Sequence, residues 1–327
     1  MRIGINGFGR IGRAVLRRAL RTDLDIVAIN DIAAPAALAH LLKHDSTYGP
    51  LDLPVTATAE AIEVNGRTIA VSSCADPAEI AWRAHDVDLV IDATGRFRTR
   101  QALEAHLKAG ARRVLLSAPG KGLDATIVPG VNDAAYDPAR HQIVSLASCT
   151  TNCVAPMVKV LHEHFGFVRG FMTTIHAYTG DQMLLDAPHK DPRRARSAAV
   201  NIVPTTTGAA RMVGQVLPEL NGRLDGIAIR VPVEDGSITD LSAQLSRPVT
   251  ASEVNGAFAE AAQDVLHGIL RYSTDPLVSR DIVGDAASCV FDSGLTQANG
   301  DLVKVFGWYD NEWGYANRLV EMAQRMV

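Results

Sequence analysis

The sequence predicts an α/β protein in two parts, an open parallel-sheet domain followed by an α+β domain. Three observations predict it. The chain opens on a strand-helix-strand unit with a G-x-G-x-x-G turn between its first strand and its helix. Short apolar runs and helical stretches then keep alternating to about residue 148. Beyond that point the strands lengthen and whole helices separate them, which is the texture of an α+β domain.

Arg2–Asn6 places β-branched Ile3 and Ile5 in a short run that stops at Gly7, as a buried strand does. From Arg10, apolar Ile11, Ala14, Val15 and Ala19 recur at three- and four-residue spacing while Arg13, Arg17 and Arg18 occupy the other faces, so an amphipathic helix follows. Asp25–Asn30 is a second apolar run, and it ends on the polar pair Asn30-Asp31. Right-twisted strands let the connecting helix pack back only one way, so the unit is a right-handed crossover in a parallel sheet. Residues 61–64 and 67–71 read as an inserted hairpin around Asn65-Gly66, a dipeptide that tolerates the positive φ of a tight turn. Leu89–Asp92 and Arg113–Leu116 supply two more strands, with a helix over 100–109 between them. Near 145–155 a strand passes through Ser148-Cys149-Thr150-Thr151-Asn152 into a helix that reaches about His164. The domain boundary is placed there: residues 1–148 form the first domain, 149–311 the second, and a final helix in 312–327 returns to the first. Downstream, 171–176, Leu224–Val231 and 238–245 are the longer strands, with helices at 208–217 and 252–266. The charge-dense segment 176–204 is too long for a plain connection in a compact domain and is expected to serve a function or an interface.

Composition narrows the classes. At 327 residues with 47% hydrophobic and 21% charged, the chain can bury a substantial core rather than stay disordered. A net charge of -4 gives no basic field to hold a polyanion, so nucleic acid is not an expected partner. No apolar run approaches the ~20 residues that span a bilayer, so no membrane is expected. The N-terminus lacks the apolar stretch of a secretory signal, and the expectation is a cytoplasmic protein. Four cysteines, Cys74, Cys149, Cys153 and Cys289, are too few and too irregular for a disulfide framework and are expected to be thiols. No metal site is read from the sequence.

Gly7-Phe8-Gly9-Arg10-Ile11-Gly12 lies directly between the first strand and the first helix. In that context Gly7 allows the tight turn, Gly9 lets the backbone approach a pyrophosphate, and Gly12 allows close helix-to-strand packing. The helix N-terminus supplies N–H donors and partial positive charge for the diphosphate. Asp31 ends the second strand, where a carboxylate accepts hydrogen bonds from ribose hydroxyls and repels a 2′-phosphate. The first domain is therefore expected to be Rossmann-like and to bind NAD rather than NADP.

Cys149 sits where a strand hands over to a helix, and the partial positive charge of a helix N-terminus stabilises a thiolate, the nucleophilic form. His176, at the end of the next strand, is the candidate ion-pair partner and acid or base. A sulfur held anionic at neutral pH is the expectation. Cys74 and Cys289 are read as small buried hydrophobes, and Cys153, four positions further along the same helix face, as core packing.

Ala147-Ser148-Cys149-Thr150-Thr151-Asn152-Cys153 resembles the active-site signature of the phosphorylating glyceraldehyde-3-phosphate dehydrogenases, in their bacterial form. The likeness continues through Asn6-Gly7-Phe8-Gly9-Arg10-Ile11-Gly12, Thr173-Thr174-Ile175-His176, Pro204-Thr205-Thr206-Thr207-Gly208-Ala209-Ala210 and Trp308-Tyr309-Asp310-Asn311-Glu312-Trp313-Gly314-Tyr315, over essentially the whole chain. The resemblance implies NAD as cofactor, glyceraldehyde 3-phosphate and inorganic phosphate as ligands, and a homotetramer with residues 180–203 packed between subunits. It implies that Cys149 attacks the aldehyde carbon, that His176 takes the hydroxyl proton as hydride leaves for the nicotinamide, and that phosphate then cleaves the thioester to an acyl phosphate. On the same grounds Thr179, Asp181 and Arg230 correspond to the site for the substrate's C3 phosphate. Ser148, Thr150, Thr207 and Gly208 correspond to the site for the attacking phosphate. Arg10 and Ile11 correspond to backbone donors to the diphosphate, Thr94, Gly95 and Ser117 to the walls of the same crevice, and Asn311, with Tyr315 beside it, to the group that fixes the nicotinamide carboxamide.

The chain departs from that pattern in two places. The family often reads Val-Pro-Thr followed by Pro-Asn-Val after the arginine, whereas Val231-Pro232-Val233-Glu234-Asp235-Gly236-Ser237 puts two carboxylates near an anion site, and both are expected to face solvent or a neighbouring subunit. Ala187-Pro188 stands between the Leu-Pro of strictly NAD-using members and the Ala-Ser of NADP-tolerant ones, which leaves the exclusion of NADP mainly to Asp31. The competing enzyme reading is erythrose-4-phosphate dehydrogenase; Thr179-Gly180-Asp181-Gln182 and Thr205-Thr206-Thr207-Gly208 weigh against it. A reading from another class, an NAD- or RNA-binding protein without catalysis, conflicts with the presence of both Cys149 and His176.

Overall fold

A computed structural model describes residues 1–326. The chain divides into two compact units, one made of residues 1–127, 134–147 and those from Ala316 on, the other of Val128–Asp133 and Ser148–Tyr315.

In the first unit, strands Arg67–Ser72, Asp25–Asn30, Arg2–Asn6, Leu89–Asp92, Arg113–Leu116 and Ile143–Ser145 lie side by side in that order, all parallel. Their apolar runs are continuous, as in parallel strands that are buried on both faces. Ile3, Ile5, Ile29, Leu89, Val90, Ile91, Val114 and Leu115 are accordingly all buried. The hairpin is not an appendage: its second strand joins the parallel sheet through the register Ala28↔Ala70, and its first strand, with Val55–Ala57, extends the edge. Arg2–Asn6 has the next strand in sequence on one side and Leu89–Asp92 on the other, so the strand order reverses there. Ligands of open α/β sheets bind in the crevice that such a reversal opens at the strands' carboxyl ends.

A buried polar chain runs to that crevice, and nothing in the sequence pattern announced it. Trp82 Nε1 donates to His106 Nδ1 at 3.0 Å, which leaves the ring proton on Nε2, 3.1 Å from Asp92 Oδ2. Asn6 Nδ2 donates to the same carboxylate at 2.9 Å, and the Thr94 hydroxyl donates to its other oxygen at 2.7 Å. Burying these groups is tolerable because each is paired.

The second unit is built on a mixed sheet ordered Val203–Thr206, Leu224–Val231, Phe167–Ala177, Ser237–Leu245, Leu302–Tyr309, Cys289–Asp292, Leu270–Ser273. Ser237–Leu245 alternates buried and half-buried residues along its whole length, as period-2 side chains do when one face is packed. Helix Cys149–Phe165 lies against the packed face. Gly307 admits it: a Cβ there would stand 2.6 Å from Cys289 Sγ and 2.7 Å from Met157 Sδ. Among the described residues no helix is long and apolar enough to cross a membrane.

Candidate active site

In the first unit the glycine motif forms the turn its spacing requires. Gly7 has φ +87°, a left-handed value that costs only glycine nothing, and a Cβ on Gly12 would stand 2.3 Å from Gly7 O. Gly9 has open space where a Cβ would be, and it gives the first turn of helix Arg10–Ala19 no side-chain cap, so a diphosphate has both room and donors there. Asp31 is held by the backbone: Oδ2 accepts from Phe8 N at 2.7 Å and Oδ1 from Ala33 N at 3.0 Å. A pocket of about 280 Å³ brings Gly7, Gly9, Asp31 and Thr94 together with Asn6 and Asn30. Gly95 takes φ +67° just after Thr94, and Ser117 N bonds Asp92 O at the neighbouring strand end. Arg10 turns its guanidinium to Asp45 at 2.5 Å, so any part it takes at the helix start falls to its backbone, as it does for Ile11. Cys74, expected to be buried packing, is instead half-buried and lines this pocket.

In the second unit the geometry follows from strand register. Phe167–Ala177 and Leu224–Val231 run parallel with His176 opposite Arg230, so the two side chains leave the sheet together. Helix Cys149–Phe165 starts over them. Ser148 caps it, accepting from Thr151 N at 3.1 Å, and Ala147 just before takes φ +55°, a left-handed conformation that costs a non-glycine residue roughly 1–2 kcal/mol. That turn delivers Cys149 Sγ to 3.6 Å from His176 Nε2 and 4.0 Å from Thr150 Oγ1. Tyr309 braces the floor: its hydroxyl meets Thr150 Oγ1 at 2.9 Å and Thr174 Oγ1 at 2.8 Å, and its ring stands edge-on to His176.

Around the pair, His176 Nδ1 lies 2.7 Å from Ala177 O, and Arg230 Nη1 lies 2.5 Å from the same nitrogen and 2.9 Å from the same carbonyl. Arg194, in the long charged segment, donates from Nε to Thr205 Oγ1 at 2.9 Å and pairs with Asp181 at 2.5 Å. Burial works against the Asp181 carboxylate, yet Arg194 and His189 hold its pKa below the usual value. Thr207 Oγ1 accepts from Ala209 N, and Gly208 stands at the start of helix Ala209–Val216, which packs on helix Cys149–Phe165. Thr179 N bonds the Gln182 side chain, and Asn311 Oδ1 accepts from Ser237 Oγ at 2.7 Å. Tyr315 is buried in the same unit.

Residues 148–311 match the model of the glyceraldehyde 3-phosphate dehydrogenase C-terminal domain, and residues 1–100 match that of the same family's NAD binding domain. The chain belongs to the glyceraldehyde-3-phosphate dehydrogenase family. It is 57% identical to glyceraldehyde-3-phosphate dehydrogenase 2 of Streptomyces avermitilis over 98% of this chain and 97% of that protein. It is 53% identical to the glyceraldehyde-3-phosphate dehydrogenase of Geobacillus stearothermophilus over 99% and 97%. Its first unit is thus the NAD-binding part of a glyceraldehyde-3-phosphate dehydrogenase family member.

Burial opposes the thiolate expected at Cys149, pushing the thiol up to about 11, against the pull of the Arg230 charge and of Thr150. His176 is pushed down to about 3, by burial first and by the Arg230 charge second. A helix start stabilises a thiolate by a fraction of what desolvation costs it, and sequence position does not report desolvation. The two acidic residues after Arg230 do not both face outward as expected. Glu234 ion-pairs with Arg280, but Asp235 is 1% exposed and accepts from Gly236 N. Sequence reading missed Arg194 and Tyr309 as members of this cluster. Tyr309 lay inside the motif that ends at Tyr315, whereas Arg194 was one of several charges in a loop and carried no signal of its own.

Proposed function

We propose that the protein catalyses the NAD-dependent oxidative phosphorylation of glyceraldehyde 3-phosphate, with Cys149 and His176 as its catalytic residues. The observation that carries the reading is the half-buried sulfur 3.6 Å from an imidazole nitrogen, with a guanidinium on the imidazole's far side. Cys149 Sγ adds to the aldehyde carbon, and the resulting oxyanion is met by donors at the helix start. His176 Nε2 takes the hydroxyl proton as the thiohemiacetal is oxidised to a thioester on Cys149. NAD, when bound, supplies the hydride acceptor. Its phosphates and ribose fit the open backbone at Gly9 and the oriented carboxylate of Asp31, with Thr94, Gly95 and Ser117 at the crevice wall; Asn311 and Tyr315 are the residues that the family resemblance assigns to the nicotinamide carboxamide. Inorganic phosphate then cleaves the thioester.

Arg230 and Thr179 serve the C3 phosphate, and Ser148, Thr150, Thr207 and Gly208 the attacking phosphate. Asp181 acts at one remove by holding Arg194, since its own charge repels a dianion. The test is initial rates with glyceraldehyde 3-phosphate, with and without phosphate, and with erythrose 4-phosphate in parallel. Phosphate-dependent NADH formation from the three-carbon substrate is expected; phosphate-independent oxidation that prefers the four-carbon sugar would overturn the reading.

NAD is expected to be preferred over NADP by roughly 10²-fold in kcat/KM, because the Asp31 carboxylate meets a 2′-phosphate as like charge. Replacing Asp31 by glycine should shrink that ratio mainly through the NADP arm; equal values for both cofactors in the wild type would refute the assignment. We propose also that the chain assembles as a homotetramer. Leu184, Leu185, Val200 and Ile202 are 69–77% exposed along one loop segment, an apolar strip of the kind a partner surface covers. Light scattering at micromolar concentration should give the four-chain mass.

A further inference from the structure

The buried polar chain behind the cofactor crevice has a direction, and it runs inward from both ends to one carboxylate. An indole only donates, so Trp82 Nε1 fixes His106 Nδ1 as an acceptor and leaves the ring proton on Nε2, which donates to Asp92 Oδ2. At the other end Cys74 pins Asn30 with both of its backbone groups: its N–H donates to Asn30 Oδ1 at 2.9 Å and its carbonyl accepts from Nδ2 at 2.9 Å. Asn30 Nδ2 therefore also faces Asn6 Oδ1, at 2.9 Å, and Asn6 is left to present its own Nδ2 to Asp92 Oδ2. The second carboxylate oxygen accepts from Thr94 N at 3.1 Å and from the Thr94 hydroxyl at 2.7 Å. Neither end can reverse, so position 92 needs a group that accepts and never donates.

We propose that Asp92 and His106 are positioning residues for the cofactor: the carboxylate orders Thr94 and Asn6 in the crevice wall, and the imidazole, clamped by Trp82, orders the carboxylate. This rests on the crevice being the cofactor's site. Three observations support it. Asn6, Asn30 and Asp92 are the last residues of three adjacent strands and stand opposite one another in register, so the chain crosses the sheet at the end where the crevice opens. Asn6 and Thr94 line the pocket that holds Gly7, Gly9 and Asp31, whereas Asp92 is 0% exposed and acts only through them. The Asp92 carbonyl serves the same wall, accepting from Ser117 N at 3.0 Å. His106 reaches the carboxylate from the buried face of helix Arg100–Lys108. A leucine would fill that place without burying a polar ring, so what the imidazole adds is a donor of fixed direction.

The test measures NAD binding by calorimetry, beside steady-state kinetics and melting temperatures, in the full-length protein and three variants. Asp92→Asn keeps the shape but sets an N–H against either Thr94 or the pair of donors from Asn6 and His106. The dissociation constant of NAD is expected to rise about tenfold, the scale of one hydrogen bond to a charged group, with KM for NAD rising in step and kcat moving by less than about threefold. His106→Leu removes the donor and should show the same split. His106→Gln can donate from Nε2 to Asp92 while its Oε1 accepts from Trp82, and should return to within about twofold of the wild type. A purely structural role would lower the melting temperature of all three variants and leave the dissociation constant of the folded molecules where it was. Dissociation constants within twofold of the wild type in Asp92→Asn and His106→Leu, or a glutamine no better than the leucine, overturn the proposal. The two His106 variants decide it even if Asp92→Asn does not fold. If the wild type itself binds no NAD, the assignment of the crevice fails instead.

Discussion

Replacing Cys149 by serine is expected to lower kcat for glyceraldehyde 3-phosphate oxidation by about 10⁴-fold or more while leaving the dissociation constant of NAD within about twofold. The substitution keeps a small side chain at the first turn of helix Cys149–Phe165, so the Ser148 cap and the Ala147 turn are undisturbed and the loss cannot be assigned to unfolding. It removes the one atom able to carry the acyl group as a thioester. An alcohol is a far weaker acid than a thiol, and the same burial that pushes Cys149 up to about 11 acts on a hydroxyl that starts much higher. An ester formed on serine would also resist the attack of phosphate that a thioester accepts. The residues assigned to the adenosine end of NAD lie in the other unit, which is why cofactor affinity is the control. Steady-state rates and a fluorescence titration of NAD check both halves; residual turnover within tenfold of the wild type would mean that the covalent route is wrong.

How far the sequence led depended on whether a feature was local. Ile3 and Ile5 ahead of a glycine turn, and the apolar spacing from Ile11 to Ala19, rest on interactions within a few residues, and the strand and helix they form have the bounds that pattern implies. The glycines at 7, 9 and 12 were legible for the same reason, since the turn they require is built from their own backbone. What was not legible came from pairings across the sheet. Strand Leu302–Tyr309 becomes recognisable as a core strand only through its register with Ser237–Leu245, which sets Tyr309 beside Thr150 and Thr174 although 159 and 135 residues separate them in sequence. Asp235 is buried two residues before Ser237, where that strand pairs with Tyr309. Desolvation is the extreme case. The motif around Cys149 says that a helix begins there, but only the packing of strand, helix and tyrosine around the sulfur says how far burial opposes its anion.

Replacing His176 by asparagine is expected to lower kcat/KM by about 10²- to 10⁴-fold, the usual worth of a general acid or base, and to change the response of stability to acid. The second effect follows from burial. The folded imidazole is pushed from 6.5 down to about 3, so between those values the unfolded chain binds a proton that the folded chain refuses. Protons taken up only on unfolding favour unfolding, so this group's contribution is fully present above its unfolded pKa and is lost progressively as pH falls from 6.5 toward 3. Asparagine has no such proton. Denaturant unfolding at about pH 7 and about pH 4.5 should therefore show a loss of stability on acidification that is smaller in the variant than in the wild type. The acid response reports the burial of the ring, which a packing role would share, and the rate reports its part in the reaction. A kcat/KM within tenfold of the wild type would remove His176 from the reaction and leave it a packing residue between Tyr309 and Arg230.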